Sequence, residues 1–142
     1  MSFDLRILNN DLAINPDGTI QTVENNEKLI QDVLKAILTP LGSNIFFKWY
    51  GNNITNRVVG QNLPPQLLDL EIKRGIEDSI FNIMSMQKSQ ARSQYVSAAE
   101  TISSINEISV LRNEEDPRQF EIYIAILTKK LNVIETTFSV RV

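Results

Sequence analysis

Apolar residues in the last third of the chain recur at every second position. Phe120, Ile122, Ile124 and Ile126 line one face of a strand, with Glu121, Tyr123, Ala125 and Leu127 on the other. Asn132, Ile134, Thr136, Phe138, Val140 and Val142 form one face of a closing strand, and Ile108, Val110 and Arg112 alternate with Ser109, Leu111 and Asn113 ahead of it. Glu114 to Pro117 and Lys129-Lys130 supply the turns between them. Earlier in the chain the period changes to that of a helix. Leu29, Ile30, Val33, Leu34, Ile37 and Leu38 make a broad apolar stripe, which Asn25 or Asn26 caps and Thr39-Pro40 and Gly42 end. A second helix begins near Pro65, with Leu68, Ile72, Ile76, Ile80 and Met84 recurring every four residues and Gly75 marking a close helix contact.

The first 22 residues read as a hairpin. Leu5 and Ile7, Leu12 and Ile14, then Ile20 and Thr22 alternate around Asn15-Pro16-Asp17-Gly18, with Asn9-Asn10 as a second turn. Residues 40–64 are irregular and carry Phe46, Phe47, Trp49 and Tyr50, aromatics expected on the core or on a partner. Residues 85–98 lose the apolar period and read as a polar helical extension or insert followed by loop. The expected fold is α+β, one domain over 1–142: an N-terminal hairpin, two helices and a C-terminal three-stranded antiparallel sheet.

Composition narrows the chemistry. A chain of 142 residues that is 42% apolar and 22% charged suits a packed core. It has no cysteine and no histidine, so thiolate or imidazole metal sites and His-dependent triads are excluded. Net charge is −3, and no aromatic platform interleaves Arg112, Arg118, Lys129, Lys130 and Arg141, so no nucleic-acid partner is expected. No apolar run approaches the ~20 residues of a membrane-spanning helix, and nothing resembles a signal peptide, so no membrane partner and a cytoplasmic origin are expected. Gly42, Gly51 and Gly60 build no phosphate loop, which leaves no cofactor and no small-molecule substrate in view. Acidic pairs exist: Glu24 with Glu27, Glu71 with Glu77 or Asp78, and Glu100 with Glu107. The first lies at a helix start and the second on a solvated helix face, so none argues for a glycosidase pair. The closing strand is the most informative feature. A strand at a sheet edge accepts a partner strand, although pairing with 119–128 alone also accounts for it.

The run Leu12-Ala13-Ile14-Asn15-Pro16-Asp17-Gly18-Thr19-Ile20-Gln21-Thr22-Val23 is followed by Glu27, Leu29, Ile30-Gln31-Asp32, Leu38-Thr39-Pro40, Gly42-Ser43 and Tyr50-Gly51. This order resembles the baseplate wedge, or sheath-initiator, family of contractile phage tails, with relatives in type VI secretion and contractile injection particles. The resemblance implies a fold like the tube-facing domain of tail sheath proteins and a non-enzymatic role in the virion, at the tail baseplate, after assembly in a host cytoplasm. The implied partners are the tail sheath protein, other baseplate wedge proteins and the tail tube or hub. The implied sheath edge is Leu131, Val133, Ile134, Thr136, Phe138, Val140 and Val142. Many relatives carry Glu-Pro-Arg after the second helix, where it docks on the wedge core. Here Met84-Ser85-Met86 stands at that spacing, or Glu100-Thr101-Ile102 if 85–98 is an insertion, and neither has the Pro or Arg. A muralytic enzyme, some relatives having been labelled lysozymes, and an adaptor outside any tail are the alternatives to the expected non-enzymatic tail subunit.

Overall fold

The computed structural model describes residues 2–142. In chain order the elements are β1 (Phe3–Leu5), β2 (Ile7–Leu8), β3 (Asp11–Leu12), β4 (Thr22–Glu24), α1 (Asn25–Leu38), α2 (Ile54–Val58), α3 (Pro65–Gln90), β5 (Ile102–Arg112), β6 (Gln119–Thr128) and β7 (Val133–Arg141). The α+β class stands, with the antiparallel sheet in the order β5-β6-β7. The helix count is corrected from two to three. The missed α2 spans one turn and a half, and two apolar residues four apart, Ile54 and Val58, are too short a run to show a period.

One core joins the helices to one face of the sheet. Leu29, Val33 and Ile37 of α1, Ile54 of α2, and Ile72, Ile76, Ile80 and Ile83 of α3 pack with Phe120, Ile122, Ile124 and Ile126 of β6 and Ile134 of β7. Each such side chain contributes about 1.5–3 kcal/mol by leaving water, so this cluster dominates the stability. α3 opens with Pro65 in its first turn, where a missing N–H costs nothing. It runs on to Gln90, so 85–98 is helix in its first part and turns after that. α1 follows Glu24 without a side-chain cap. Asn25 instead takes a positive φ of 52°, which asparagine tolerates, and the expected Asn cap is not made. At the far end the Thr39 hydroxyl donates to the Lys35 carbonyl, and Pro40 cannot continue the helix.

β5 is longer than its alternation suggested. Its core residues Ile102, Ile105 and Ile108 are three apart, because the register shifts between Ile102 and Ser104 and again between Ile105 and Glu107. Each bulge adds a residue and hides the period of two. β6 and β7 pair without interruption from Gln119↔Arg141 to Leu127↔Val133.

The N-terminal segment is a branched arm and not one hairpin. β1 pairs with β4, β2 with β3 across Asn9-Asn10, and Ile14 bridges Ile20. Asn9 and Asn10 both have positive φ, 52° and 66°, which suits the tight turn that matches strand twist. Asp17 accepts hydrogen bonds from the Thr19 amide (3.0 Å) and hydroxyl (2.6 Å), and this holds its carboxyl below the usual carboxylate range.

Gly75 lets α2 and α3 touch. A methyl group at position 75 would lie 2.5 Å from Cγ1 of Ile54, which is itself buried. Alanine gains about 1 kcal/mol of helix propensity but overpacking costs about 1–3 kcal/mol, and Cγ1 is too close to the backbone to swing away cheaply. Gly75→Ala is therefore expected to destabilise by about 1 kcal/mol net. A lower urea midpoint at unchanged slope is the expected reading; an unchanged or higher midpoint shows that α2 yields freely.

Candidate functional site

The hydrogen-bonding pattern of the sheet decides which residues present its edges. Val142 donates its amide to the Arg118 carbonyl, and Thr128 donates to the Asn132 carbonyl, both at 2.9 Å. Bonded pairs alternate along an antiparallel ladder, so the even-numbered residues of β7 direct their backbone groups at β6. On the other side Asn113 donates to the Gln119 carbonyl at 2.9 Å, which assigns the odd-numbered residues of β6 to β5. The backbone amides and carbonyls of Val133, Glu135, Thr137, Ser139 and Arg141 then point away from the sheet. Among the described residues no strand pairs with them.

This redistributes the residues expected at the edge. Val133 lies on it. Ile134, Thr136, Phe138, Val140 and Val142 turn their side chains to the core and their backbone groups to β6. They shape the strand but do not offer the unpaired groups. Leu131 lies outside β7, in the turn before it, with φ of 65° and 78% of its surface exposed. Glu135, Thr137, Ser139 and Arg141 were missed, since sequence alternation reveals the buried face but not the direction of the backbone bonds. β5 forms the opposite edge, where its two bulges break a regular template.

The two alternative docking slots, 84–86 and 100–102, meet in space. Gln87, buried at the end of α3, donates to the Glu100 carbonyl (2.7 Å) and accepts from the Ile102 amide (2.9 Å). A side-chain amide thus takes the place of a neighbouring strand and fixes 100–102 beside Met86. Ile102 is core, Glu100 is buried and receives the Ser97 amide at 3.2 Å, and Ser85 is exposed. Gln87 carried no sequence signal beyond being a polar residue within a helix.

Beside these slots lies a cleft of about 320 Å³, lined by Asp4, Lys28, Asp32, Lys35, Met86 and Glu100 among others. Its charges are largely spent on each other. Lys28 pairs with Asp32 at 2.6 Å, and Lys35 with both Asp4 and Asp32. Gln31 adds a hydrogen bond to Asp4 at 2.8 Å. Burial alone would raise the Asp4 pKa, but the hydrogen bonds and charge of Lys35, with Gln31, outweigh it and hold the carboxyl below its ordinary value. Burial likewise opposes the charge on Lys35, and Asp4 and Asp32 reverse that and push its pKa up. Burial raises the Tyr50 hydroxyl on the neighbouring wall. Of the other carboxylates weighed from the sequence, Glu71 is held by Arg57 (3.4 Å) and Arg74 (3.1 Å), and Asp78 by Arg57 (2.8 Å). Glu100 is the buried carboxylate on the cleft wall.

No protein-family model and no curated protein matches the sequence. The fold does match solved structures. One is a crystal structure of a Geobacter sulfurreducens protein provisionally described as a tail lysozyme, with a TM-score of 0.61 at 10% identity, over 82% of this chain and 89% of that one. The chain therefore shares the fold of that protein. The same neighbour corrects the expectation of a non-enzymatic role: a protein of this fold carries the description of a lytic enzyme, so the fold does not place the chain outside enzymes.

The Asp4–Lys35 pair ties β1 to α1 and sets a pH window for the arm. A depressed Asp4 pKa stabilises the folded state fully above the unfolded value of 3.8, and this is lost as pH falls through the lower folded value. A raised Lys35 pKa stabilises fully below 10.5 and is lost as pH rises through the higher folded value. Both groups are partly exposed, so a stabilisation within the roughly 0.2–1 kcal/mol of surface pairs is expected. Asp4→Asn should lower the urea midpoint at neutral pH and flatten its fall on the acid side. Parallel acid limbs in wild type and variant refute the tie.

Proposed function

We propose that the chain is a phage-tail baseplate subunit that links the baseplate to the sheath and starts sheath polymerisation by accepting a sheath strand along β7. The observation that carries this is the edge itself. It is regular over nine register pairs, while the opposite edge is bulged. Five consecutive outward positions carry unpaired amides and carbonyls, with no Pro or Lys among them and charge only on Glu135 and Arg141. The likeness in fold to a protein described as a tail lysozyme supports the setting, and the N-terminal motif supports the wedge family within it. Docking on other wedge proteins falls to the exposed part of the place where 84–86 and 100–102 meet, Ser85 with Met84, Met86 and Thr101 half-buried beside it, since Glu100 and Ile102 are buried.

The edge reading separates two substitutions one residue apart. Thr137→Pro removes an amide that faces solvent, so the chain folds with a midpoint close to wild type but no longer templates a strand. Thr136→Pro removes an amide bonded to β6 and destabilises the sheet itself. In particles carrying Thr137→Pro, electron microscopy should show tubes on baseplates without sheath. Sheaths of normal length on a folded Thr137→Pro subunit end the proposal.

A second reading has one observation behind it, the description of the Geobacter sulfurreducens neighbour as a tail lysozyme. On this reading the chain cleaves cell-wall glycan, and Glu100 on the cleft wall is the best-placed carboxylate. Release of soluble fragments from purified peptidoglycan, abolished in Glu100→Gln, is the expected result. No release by the folded wild-type chain refutes it.

A further inference from the structure

The second half of α3 changes character. Its first half exposes Lys73, Arg74 and Asp78, with Glu71 and Glu77 half-buried beside them. From Asn82 onward the residues at helical spacing on one side are Asn82, Ser85, Met86, Ser89 and Gln90, all uncharged. These five line a groove of about 590 Å³, whose other wall is Asn44, Phe47, Trp49 and Tyr50. Among the described residues, the side chains of Asn82, Ser85, Ser89 and Gln90 make no hydrogen bond to protein. Nothing in the groove carries charge at neutral pH.

The aromatic wall is built to stay put. Residues 40–52 form a loop closed at its neck, where Leu41 donates to the Asn52 carbonyl (2.7 Å) and Asn52 to the Thr39 carbonyl (2.9 Å). The Asn52 side chain donates to the Ile37 and Thr39 carbonyls and accepts from the Ile54 amide at 2.9 Å. Gly51 fits there with φ of 114°, where a methyl group would lie 2.4 Å from the Thr39 carbonyl oxygen. Within the loop Phe47 and Trp49 meet edge to face at 5.7 Å, and Trp49 and Tyr50 at 6.4 Å. Phe47 and Trp49 nonetheless remain about half exposed, 53% and 50%. Half-exposed rings that meet one another along one wall of a groove, and not singly on the surface, mark a ligand site.

We infer that this groove binds a neutral oligosaccharide. Sugar rings have an apolar C–H face that lies on aromatic rings and a rim of hydroxyls that needs neutral donors and acceptors. The loop supplies the first and the α3 stripe the second. The volume is that of a small-ligand site. A charged ligand would find no counter-charge in the groove. The groove lies on the helical layer, so it is independent of the β7 edge.

Trp49 is the chain's one tryptophan, so its fluorescence reports on the groove directly. Titration with chitotetraose and, separately, cellotetraose is expected to give a saturable change with a Kd of about 1 mM or tighter. A response to both assigns recognition to the ring faces and hydroxyls, and one confined to chitotetraose assigns it to acetamide groups as well. Asn82→Ala with Ser85→Ala, both on the exposed helix surface, should weaken binding by about fivefold or more while the urea midpoint holds. Silence of Trp49 in both titrations overturns the inference, as does a response that the double variant leaves unaltered. A groove that takes a protein segment instead gives that silence.

Discussion

Ile72, Ile76, Ile80 and Ile83 of α3 share one core with Phe120, Ile122, Ile124 and Ile126 of β6, and this packing fixes which way every strand of the sheet faces. β6 is central, so its odd backbone groups are committed to β5 and its even ones to β7. A slip of β7 by one residue would carry Ile134 and Phe138 to solvent and Glu135 and Thr137 into the core. The core therefore enforces the register, and the register chooses the five residues that face outward at the edge. The side chains that stabilise the fold and the backbone groups left unpaired at the edge are thus set by one constraint.

That coupling explains what was legible in the sequence. α1, α3, β6 and β7 follow one period each, because each buries one face over two or more turns or eight or more residues. β5 was seen only in its unbulged half, since two inserted residues turn a period of two into spacings of three. The Asp4–Lys35 tie joins residues 31 apart and leaves no local pattern. Gln87 looks like any polar residue of a helix until the chain returns at 100–102. The edge was legible as a place but not as a set of residues. Burial follows side-chain alternation, whereas backbone direction follows the pairing of Thr128 with Asn132 across the turn.

The sheet's two edges differ in a way that bears on association. An open edge is an aggregation hazard, and bulges are one of the means by which proteins close it. β5 has two bulges, and α3 packs beside it. β7 has none. Its outward positions do carry Glu135 and Arg141, charges of opposite sign, with Tyr123 and Glu107 near Glu135 on the same solvent face. The neighbouring Glu135 carboxylate, with burial and Glu107 adding to it, raises the Tyr123 pKa, so the phenol keeps its proton there. Charges of both signs favour a partner strand of complementary pattern over one that sets like charges opposite each other, so the edge discriminates by register while remaining open.

The helical layer carries a different set of constraints. Gly75 draws α2 onto α3, Asn52 closes the aromatic loop against the end of α1, and Gln87 draws 100–102 onto the end of α3. Each joins segments that the hydrophobic pattern alone would leave loose, and each does so with a small or amide side chain in place of apolar bulk. Their cost is real, since a buried amide without its partners loses about 1–3 kcal/mol. A chain that only needed a core would fill these positions with aliphatic side chains. Asn52 is the one of the three that bears on the aromatic wall: its hydrogen bonds to the end of α1 hold the loop that carries Phe47 and Trp49 in place, whereas Gly75 and Gln87 fix α2 and 100–102 against α3.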